Sequence, residues 1–175
     1  DKTDTRVWNE YVDRYHYLGF SPLPGAQLRY FVYDGNDPLA LLGFGASAWK
    51  TDPRDKYIGW SSEQREKNSH LVVNNARFLI LPWIKSKYLG SKILSIISKR
   101  IRSDWQNRYN YSPVLLETFV EVDRFKGTCY AAANWKNVGL TQGRGKKDKF
   151  HKKDKPVKSI WLYPLVKKFK DILCK

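Results

Sequence analysis

A strand, a proline and a long amphipathic helix stand in direct succession in the middle of this chain, followed by a second proline-led strand, and few folds accommodate that order. Residues 71–81 are apolar, partly β-branched and end at Pro82. Such a run reads as a buried strand, because proline cannot donate to a sheet ladder and so marks its end. From Lys87 to Tyr109, the residues Leu89, Ile93, Ile96, Ile97, Ile101 and Trp105 recur at helical spacing. That predicts one long helix with an apolar face. Pro113 then introduces a second apolar run, Val114 to Val122. Strand–helix–strand crossovers are right-handed and leave their strands parallel, so the middle of the chain predicts a parallel pair under one helix.

The flanks complete a sheet around that pair. Val7, Trp8, Tyr11, Val12 and Tyr15 within 6–17 predict an amphipathic helix ending at Gly19. Gln27 to Tyr33 and Leu39 to Trp49, joined by Asp34-Gly35-Asn36-Asp37-Pro38, predict a hairpin. Tyr57 to Trp60 is a short apolar piece, and Ser61 to Gln64 can cap a small helix through Asn68. After the parallel pair, the alanines at 131–133 favour a short helix within 127–135, and strands are expected at 138–142 and 156–163. The fold class predicted is α/β (α+β), one mixed central sheet flanked by helices, with the hairpin as an antiparallel flank.

With 175 residues, 42% of them hydrophobic and 15% aromatic, the chain can bury one real core, and a single domain over 1–175 is expected. No apolar run reaches the roughly 18 residues of a membrane span. The opening Asp1-Lys2-Thr3-Asp4 is unlike a signal peptide, so a cytoplasmic protein without a membrane partner is expected. Cys129 and Cys174 lie far apart, and with His16, His70 and His151 scattered no metal site is expected. The absence of any Met suggests an excised domain or trimmed first residues.

The formal charge of +15 is unevenly spread. Residues 1–82 carry ten basic and ten acidic side chains, 83–108 carry seven against one, and 136–158 carry nine against two. Positive charge concentrated this way attracts a polyanion and releases its counterions. The leading expectation is therefore a nucleic-acid-binding domain, with DNA favoured, working through phosphate contacts. The candidate contacts are Lys85, Lys87, Lys92, Lys99 and Arg100, joined by Arg144, Lys146, Lys147, Lys149, Lys152, Lys153, Lys155 and Lys158. Residues 143–155 read as a mobile, glycine-hinged basic loop with no core role, and no helix-turn-helix or zinc finger is apparent.

Among single residues, Glu117 stands in an otherwise apolar strand, so it must be paired or carry a raised pKa. It reads either as a general base or as the salt-bridge partner of Arg77. Asn74, Asn75 and Arg77 open the first buried strand and are site or loop-bonding candidates. His16, between two tyrosines, reads as packing, and Asp104-Trp105 as core packing plus a helix cap. Cys129 has no histidine near it in sequence to activate a thiolate.

Two resemblances add to this reading. The order of elements resembles the GCN5-related acetyltransferase superfamily. Leu79-Ile80-Leu81-Pro82 leading through Lys87-Tyr88-Leu89-Gly90-Ser91 stands where that superfamily has its pyrophosphate loop. The resemblance implies that Leu89, Gly90 and Ser91 bind acetyl-CoA or another acyl-CoA through backbone N–H groups. The sequence departs from the pattern at Lys87 and Lys92, where the superfamily has Gln or Arg and a small residue. Tyr130-x-x-x-Asn134-Trp135 is similar to the segment whose tyrosine protonates the departing thiolate, which implies Tyr130 as a general acid beside Glu117; a buried core tyrosine is the other reading of Tyr130.

The second resemblance spans nearly the whole chain. His16-Tyr17-Leu18-Gly19, Ile58-Gly59-Trp60-Ser61, Asn74-Asn75-x-Arg77-Phe78, Glu117-Thr118-Phe119 and Gly127-Thr128-Cys129-Tyr130-x-Ala132-Ala133-Asn134-Trp135 resemble the DruA family of the Druantia anti-phage defence system. That implies a DNA-directed role in bacterial defence or mobile-element biology. Three functions follow as expectations: nucleic-acid binding first, an acyl-CoA-dependent acyltransferase acting on DNA or protein second, and a scaffold docking defence-system or transposase proteins third.

Overall fold

The computed structural model describes residues 2–143 and 155–175. In chain order they form α1 (Lys2–Tyr15), β1 (Leu28–Asp34), β2 (Asp37–Ala46), α2 (Asp52–Ile58), α3 (Ser62–Asn68), β3 (Val72–Ile80), α4 (Leu89–Tyr109), β4 (Leu115–Glu121), α5 (Thr128–Ala132), β5 (Lys136–Leu140), β6 (Lys158–Pro164) and α6 (Phe169–Leu173). The six strands make one sheet in the order β1-β2-β3-β4-β6-β5. Only β3 and β4 are parallel, and every other neighbouring pair is antiparallel. The mixed sheet flanked by helices is the class the sequence predicts.

Strand alternation sorts the core into two faces. On one, Leu42, Phe44, Val73 and Leu116 pack under Ile93, Leu94, Ile97, Ile101 and Trp105 of α4. On the other, Leu115, Ile160 and Leu162 meet Ile58 of α2 and Phe169 and Leu173 of α6, while Trp8 and Val12 of α1 cover Leu41, Leu79 and Leu81. Burying each such aliphatic or aromatic side chain contributes about 1.5–3 kcal/mol.

The helix starts follow local chemistry. Ser61 caps α3 with a complete capping box, its side chain accepting the N–H of Gln64 while the Gln64 side chain accepts the N–H of Ser61. Three elements differ from expectation. The piece at Tyr57 to Trp60 is the end of a helix, α2, which begins with Pro53 in its first turn and stops at the left-handed Gly59. α1 starts at Lys2, ahead of the apolar spacing, because polar residues extend its exposed first turn. α6 has no counterpart in the sequence reading; its five residues are too short to show a period, and it forms by burying Phe169 and Leu173. Nor does Asp104 cap α4: it accepts hydrogen bonds from Arg100 (2.7 Å) and the Tyr30 hydroxyl (3.0 Å), while Trp105 is core.

Candidate active site in the strand splay

β3 and β4 pair for three residues only, Val72 with Leu115, Val73 with Leu116 and Asn74 with Glu117. Immediately beyond, β3 bulges: Asn75 lies opposite Phe44 of β2 and Arg77 opposite Gly43, leaving Ala76 as an extra residue. A bulge bends and over-twists its strand. Here it turns β3 away from β4 at the point where their ladder ends. The Thr118 hydroxyl donates to the Asn75 carbonyl at 3.0 Å across the start of the gap. The gap opens as a cavity of about 970 Å³, lined along one side by Asn74 to Ile80 and along the other by Thr118 to Val120 and Phe125 to Tyr130.

Tyr130 forms part of its floor. Its ring sits among Trp135 (5.1 Å), Phe78 (6.3 Å) and Trp161 (6.4 Å). Its hydroxyl donates to Asn75 Oδ1 at 2.8 Å, and Asn75 in turn donates from Nδ2 to the carbonyls of Arg77 (3.0 Å) and Gly43 (3.3 Å). Burial, against a smaller opposing pull from Thr118, holds the Tyr130 pKa well above its ordinary value, so the hydroxyl keeps its proton at any physiological pH. Gly127 places this helix: its φ is +71°, and a Cβ there would stand 2.7 Å from the Trp161 ring.

Glu117 is on the other side of the sheet. It shares a β4 face with Leu115 and Phe119, whereas Thr118 shares the Tyr130 side with Leu116 and Val120. The carboxylate accepts from the Ala48 N–H at 2.6 Å and from Arg54 at 2.9 Å. Its expected partner Arg77 is not involved: that guanidinium donates to the carbonyls of Ala76 and Gly19 and to Ser21 Oγ. Burial pushes the Glu117 pKa up, opposed by Arg54 and the Ala48 N–H. With Glu117 wholly buried, outside the cavity wall and both oxygens engaged, the structure does not bring it together with Tyr130.

At the mouth stand Tyr15, His16, Tyr17 and Leu18 from the end of α1 and Phe125 from the β4–α5 turn. Tyr17 lies 5.3 Å from Phe125 and 4.8 Å from the His16 ring, ring centre to ring centre. His16 Nδ1 accepts the Leu18 N–H at 3.2 Å, so the neutral ring carries its hydrogen on Nε2. Burial and then the nearby Arg77 hold His16 down to about 4, keeping the ring neutral. Asn74 is a residue of the cavity wall, and its Oδ1 is buried without a hydrogen-bond partner. Lys126, Lys155 and Lys158 also line the cavity.

Leu89, Gly90 and Ser91 form the first turn of α4, which follows Tyr88 in the left-handed conformation (φ +61°) and has no side-chain cap. They are not in the cavity wall. Gly90 packs on Cys129, which is, so closely that a Cβ would come within 3.2 Å of the Cys129 Cβ. Of the candidate nucleic-acid contacts, Lys85, Lys87, Lys92, Lys99 and Lys155 are exposed and Lys158 is half-buried. Arg100 is exposed but committed to Asp104. Arg144, Lys146, Lys147, Lys149, Lys152 and Lys153 lie outside the described residues, as does most of the 143–155 loop. The loop's flanks are close: the Lys155 N–H donates to the Gly143 carbonyl at 3.0 Å. Among the described residues no helix is long and apolar enough to cross a membrane, and no group of three His, Cys, Asp or Glu is placed to hold a metal.

Sequence reasoning missed Thr118, Arg54 and the part played by His16 at the mouth. Thr118 had a signal, a hydroxyl in an apolar strand next to Glu117. Arg54 had none, because its partner lies 63 residues away.

The family model described as Druantia protein DruA matches residues 1–153. No curated protein matches the chain. Among solved structures, the chain is similar to the ribosomal-protein-S18-alanine N-acetyltransferase from Escherichia coli, at 10% identity and a TM-score of 0.57 over 94% of this chain and 90% of that one. It is also similar to the aminoglycoside acetyltransferase AAC(6')-Ib in complex with coenzyme A and kanamycin, at 11% identity and a TM-score of 0.55 over 93% and 90%. A second structure of that enzyme, with acetyl-CoA, gives 12% and 0.56 over 93% and 89%. At these identities the likeness establishes the acetyltransferase fold and nothing finer.

Proposed function

The chain belongs to the DruA family, and from that premise we propose that the domain transfers an acyl group from a coenzyme A thioester, held in the β3–β4 splay, to a nucleic acid, with DNA the favoured acceptor. The setting would be bacterial anti-phage defence or mobile-element biology. The observation that carries the reading is the bulge at Ala76 with the open splay behind it. A domain that only binds a phosphate backbone needs no opened sheet with a protonated tyrosine at its floor.

The chain's residues suit such a cofactor in part. Beyond Asn74 the β4-facing edge of β3 has no strand partner, which leaves main-chain amides for the amides of a pantetheine arm. A cavity near 970 Å³ is at the upper end of small-molecule sites, about 300–1,000 Å³. The uncapped first turn at Leu89, Gly90 and Ser91 suits a phosphate. Lys92, exposed one residue further on, adds a cation there instead of the small residue of the superfamily.

Bound, the thioester would supply an activated acyl carbon. Tyr130 holds a proton that a leaving thiolate can take, and Asn75, itself anchored to two carbonyls, fixes that hydroxyl. Glu117 has no part in this step; it holds the β2–α2 connection to β4. The exposed lysines at 85, 87, 92 and 99 are the electrostatic means of attracting the acceptor.

The test is acetyl-CoA carrying a labelled acetyl group, incubated with the protein and DNA. Label in the DNA, together with thermal stabilisation by acetyl-CoA, is expected. Stabilisation by DNA but not by acetyl-CoA, with no label transferred, would overturn the reading in favour of a binding domain.

A further inference from the structure

We propose that the mouth of the splay is a nucleobase pocket, in which an unpaired base stacks on Phe125 beside the edge of Tyr17 and turns its exocyclic amino group toward Asn74 Oδ1.

The aromatic side chains at the mouth are displayed, not packed away. Tyr17 is 37% and Phe125 49% exposed, yet their rings approach to 5.3 Å. Contiguous exposed aromatic surface at the rim of a cavity is unfavourable in water unless something covers it. What covers it should be flat and anionic at its edge. The Tyr17 ring is engaged by His16, stacked at 4.8 Å, and by the Arg124 guanidinium at 5.2 Å, so the π-face on offer is that of Phe125, and Lys126, Lys155 and Lys158 in the same wall offer positive charge. Aromatic platforms interleaved with lysines are how proteins hold single-stranded nucleic acid, each base adding a stacking contact while the backbone meets the cations.

The polar groups of the cavity fit the edge of a base. Asn74 Oδ1 is a buried acceptor with no partner. Leaving a buried acceptor unmet is costly to the empty protein, and an N–H donor from a ligand would relieve it. His16 adds the complementary group, since its Nδ1 is taken by the Leu18 N–H and its Nε2–H remains to donate. An acceptor and a donor in one cavity suit a base that gives an amino N–H to Asn74 and takes the His16 N–H at the neighbouring ring nitrogen, as cytosine and adenine can; in the same pose thymine presents its O4 and N3–H, the reversed pair. Two other polar side chains of the wall are committed: Asn75 to Gly43, Arg77 and Tyr130, and the Arg77 guanidinium to Gly19, Ser21 and Ala76.

The inference deepens the acyl-transfer reading by naming the amine that would be acylated. It depends on that reading for what happens to the base, not for its binding. The experiment therefore omits acetyl-CoA. Fluorescence anisotropy would compare the affinity of the full chain for a labelled twelve-residue oligodeoxycytidine, the matching oligothymidine, and an abasic strand of the same length and charge. The abasic strand should bind about 5- to 150-fold more weakly than oligodeoxycytidine, the span expected of base–aromatic stacking. The double variant Tyr17→Ala/Phe125→Ala, altered only at exposed side chains, should lose that difference while keeping its affinity for the abasic strand. Asn74→Leu, which removes an unpaired buried oxygen and so should melt no lower than wild type, should abolish the preference for cytidine over thymidine. Equal binding of all three strands by wild type, or a base preference that survives the double variant, would overturn the proposal. A base preference without acetyl transfer would leave it standing and remove the acyl-transfer reading instead.

Discussion

Arg54 Nη1 and Glu117 Oε2 meet at 2.9 Å inside the molecule, with neither side chain exposed at all. Arg54 also donates to the Ala48 carbonyl at 2.6 Å and pairs with Asp55 at 2.8 Å, and Glu117 accepts the Ala48 N–H. The pair thus ties the end of β2, the start of α2 and the middle of β4 into one unit behind the splay. Removing one partner leaves a buried charge uncompensated. Glu117→Ala should therefore destabilise the fold by about 3–5 kcal/mol, read as a lower urea midpoint. The double variant Arg54→Met/Glu117→Leu should cost clearly less than the sum of its single changes.

Tyr130→Phe removes only a hydroxyl, and its structural cost should be about 1–3 kcal/mol because Asn75 Oδ1 loses its donor. If Tyr130 supplies the proton for acyl transfer, the rate should fall about 10²- to 10⁴-fold with the affinity for acetyl-CoA little changed. A variant that folds and transfers at the wild-type rate would remove Tyr130 from the chemistry.

Gly127→Ala should be disproportionately damaging. A Cβ at φ +71° is strained, and it would meet the Trp161 indole at 2.7 Å, so a loss of about 2 kcal/mol or more is expected by thermal melting. Since Gly127 opens α5, near-ultraviolet circular dichroism of the packed tryptophans should change with it.

DNA affinity should fall with salt, and neutralising Lys85, Lys87, Lys92 or Lys99 should each lower the slope of log affinity against log salt by about 1. Arg100→Ala should leave that slope unchanged, because its guanidinium is already engaged by Asp104. Lysine variants that leave the slope as unchanged as Arg100→Ala does would show that these lysines are not the contact surface.

Acid should weaken the fold through His16. The unfolded ring takes a proton near pH 6.5, whereas the folded ring resists until about 4. The folded pKa lies below the unfolded one, so the stabilisation is full above pH 6.5, declines as pH falls toward 4, and does not decline further below it. Allowing for the partial exposure of the ring, the loss should be roughly 1–2 kcal/mol. Urea denaturation at pH 7 and pH 4.5 should show a smaller difference in His16→Gln than in wild type.

Much of this architecture is written locally. The apolar runs ending at Pro82 and beginning at Pro113, and the helical spacing between them, specify β3, α4 and β4 because hydrophobic period and proline act over a few residues. The Ser61 cap is legible for the same reason. α2 was obscured because its apolar residues crowd its C-terminal end, leaving a three- or four-residue period nothing to repeat over. The expected Arg77–Glu117 bridge illustrates a different limit. Arg77 and Glu117 are on adjacent strands and, after the bulge at Ala76, on the same face, but the β3–β4 ladder ends at Asn74 opposite Glu117 and the strands diverge before Arg77; sequence alone does not say where two strands part.

Local patterning is enough to specify a mixed sheet, to gather positive charge in residues 83–108 and 136–158, and to mark Tyr130 and Glu117 as residues whose burial needs explaining. It takes the packed fold to set those two on opposite faces of the sheet, to open the sheet beyond Asn74, and to bring His16, just after α1, to the same cavity as Phe125 and Asn74. The physical reason is range. Periodicity, capping and charge density are properties of neighbouring residues, whereas a splay, a buried ion pair and a cavity mouth are set by segments tens of residues apart, whose meeting depends on register and twist summed over the whole sheet.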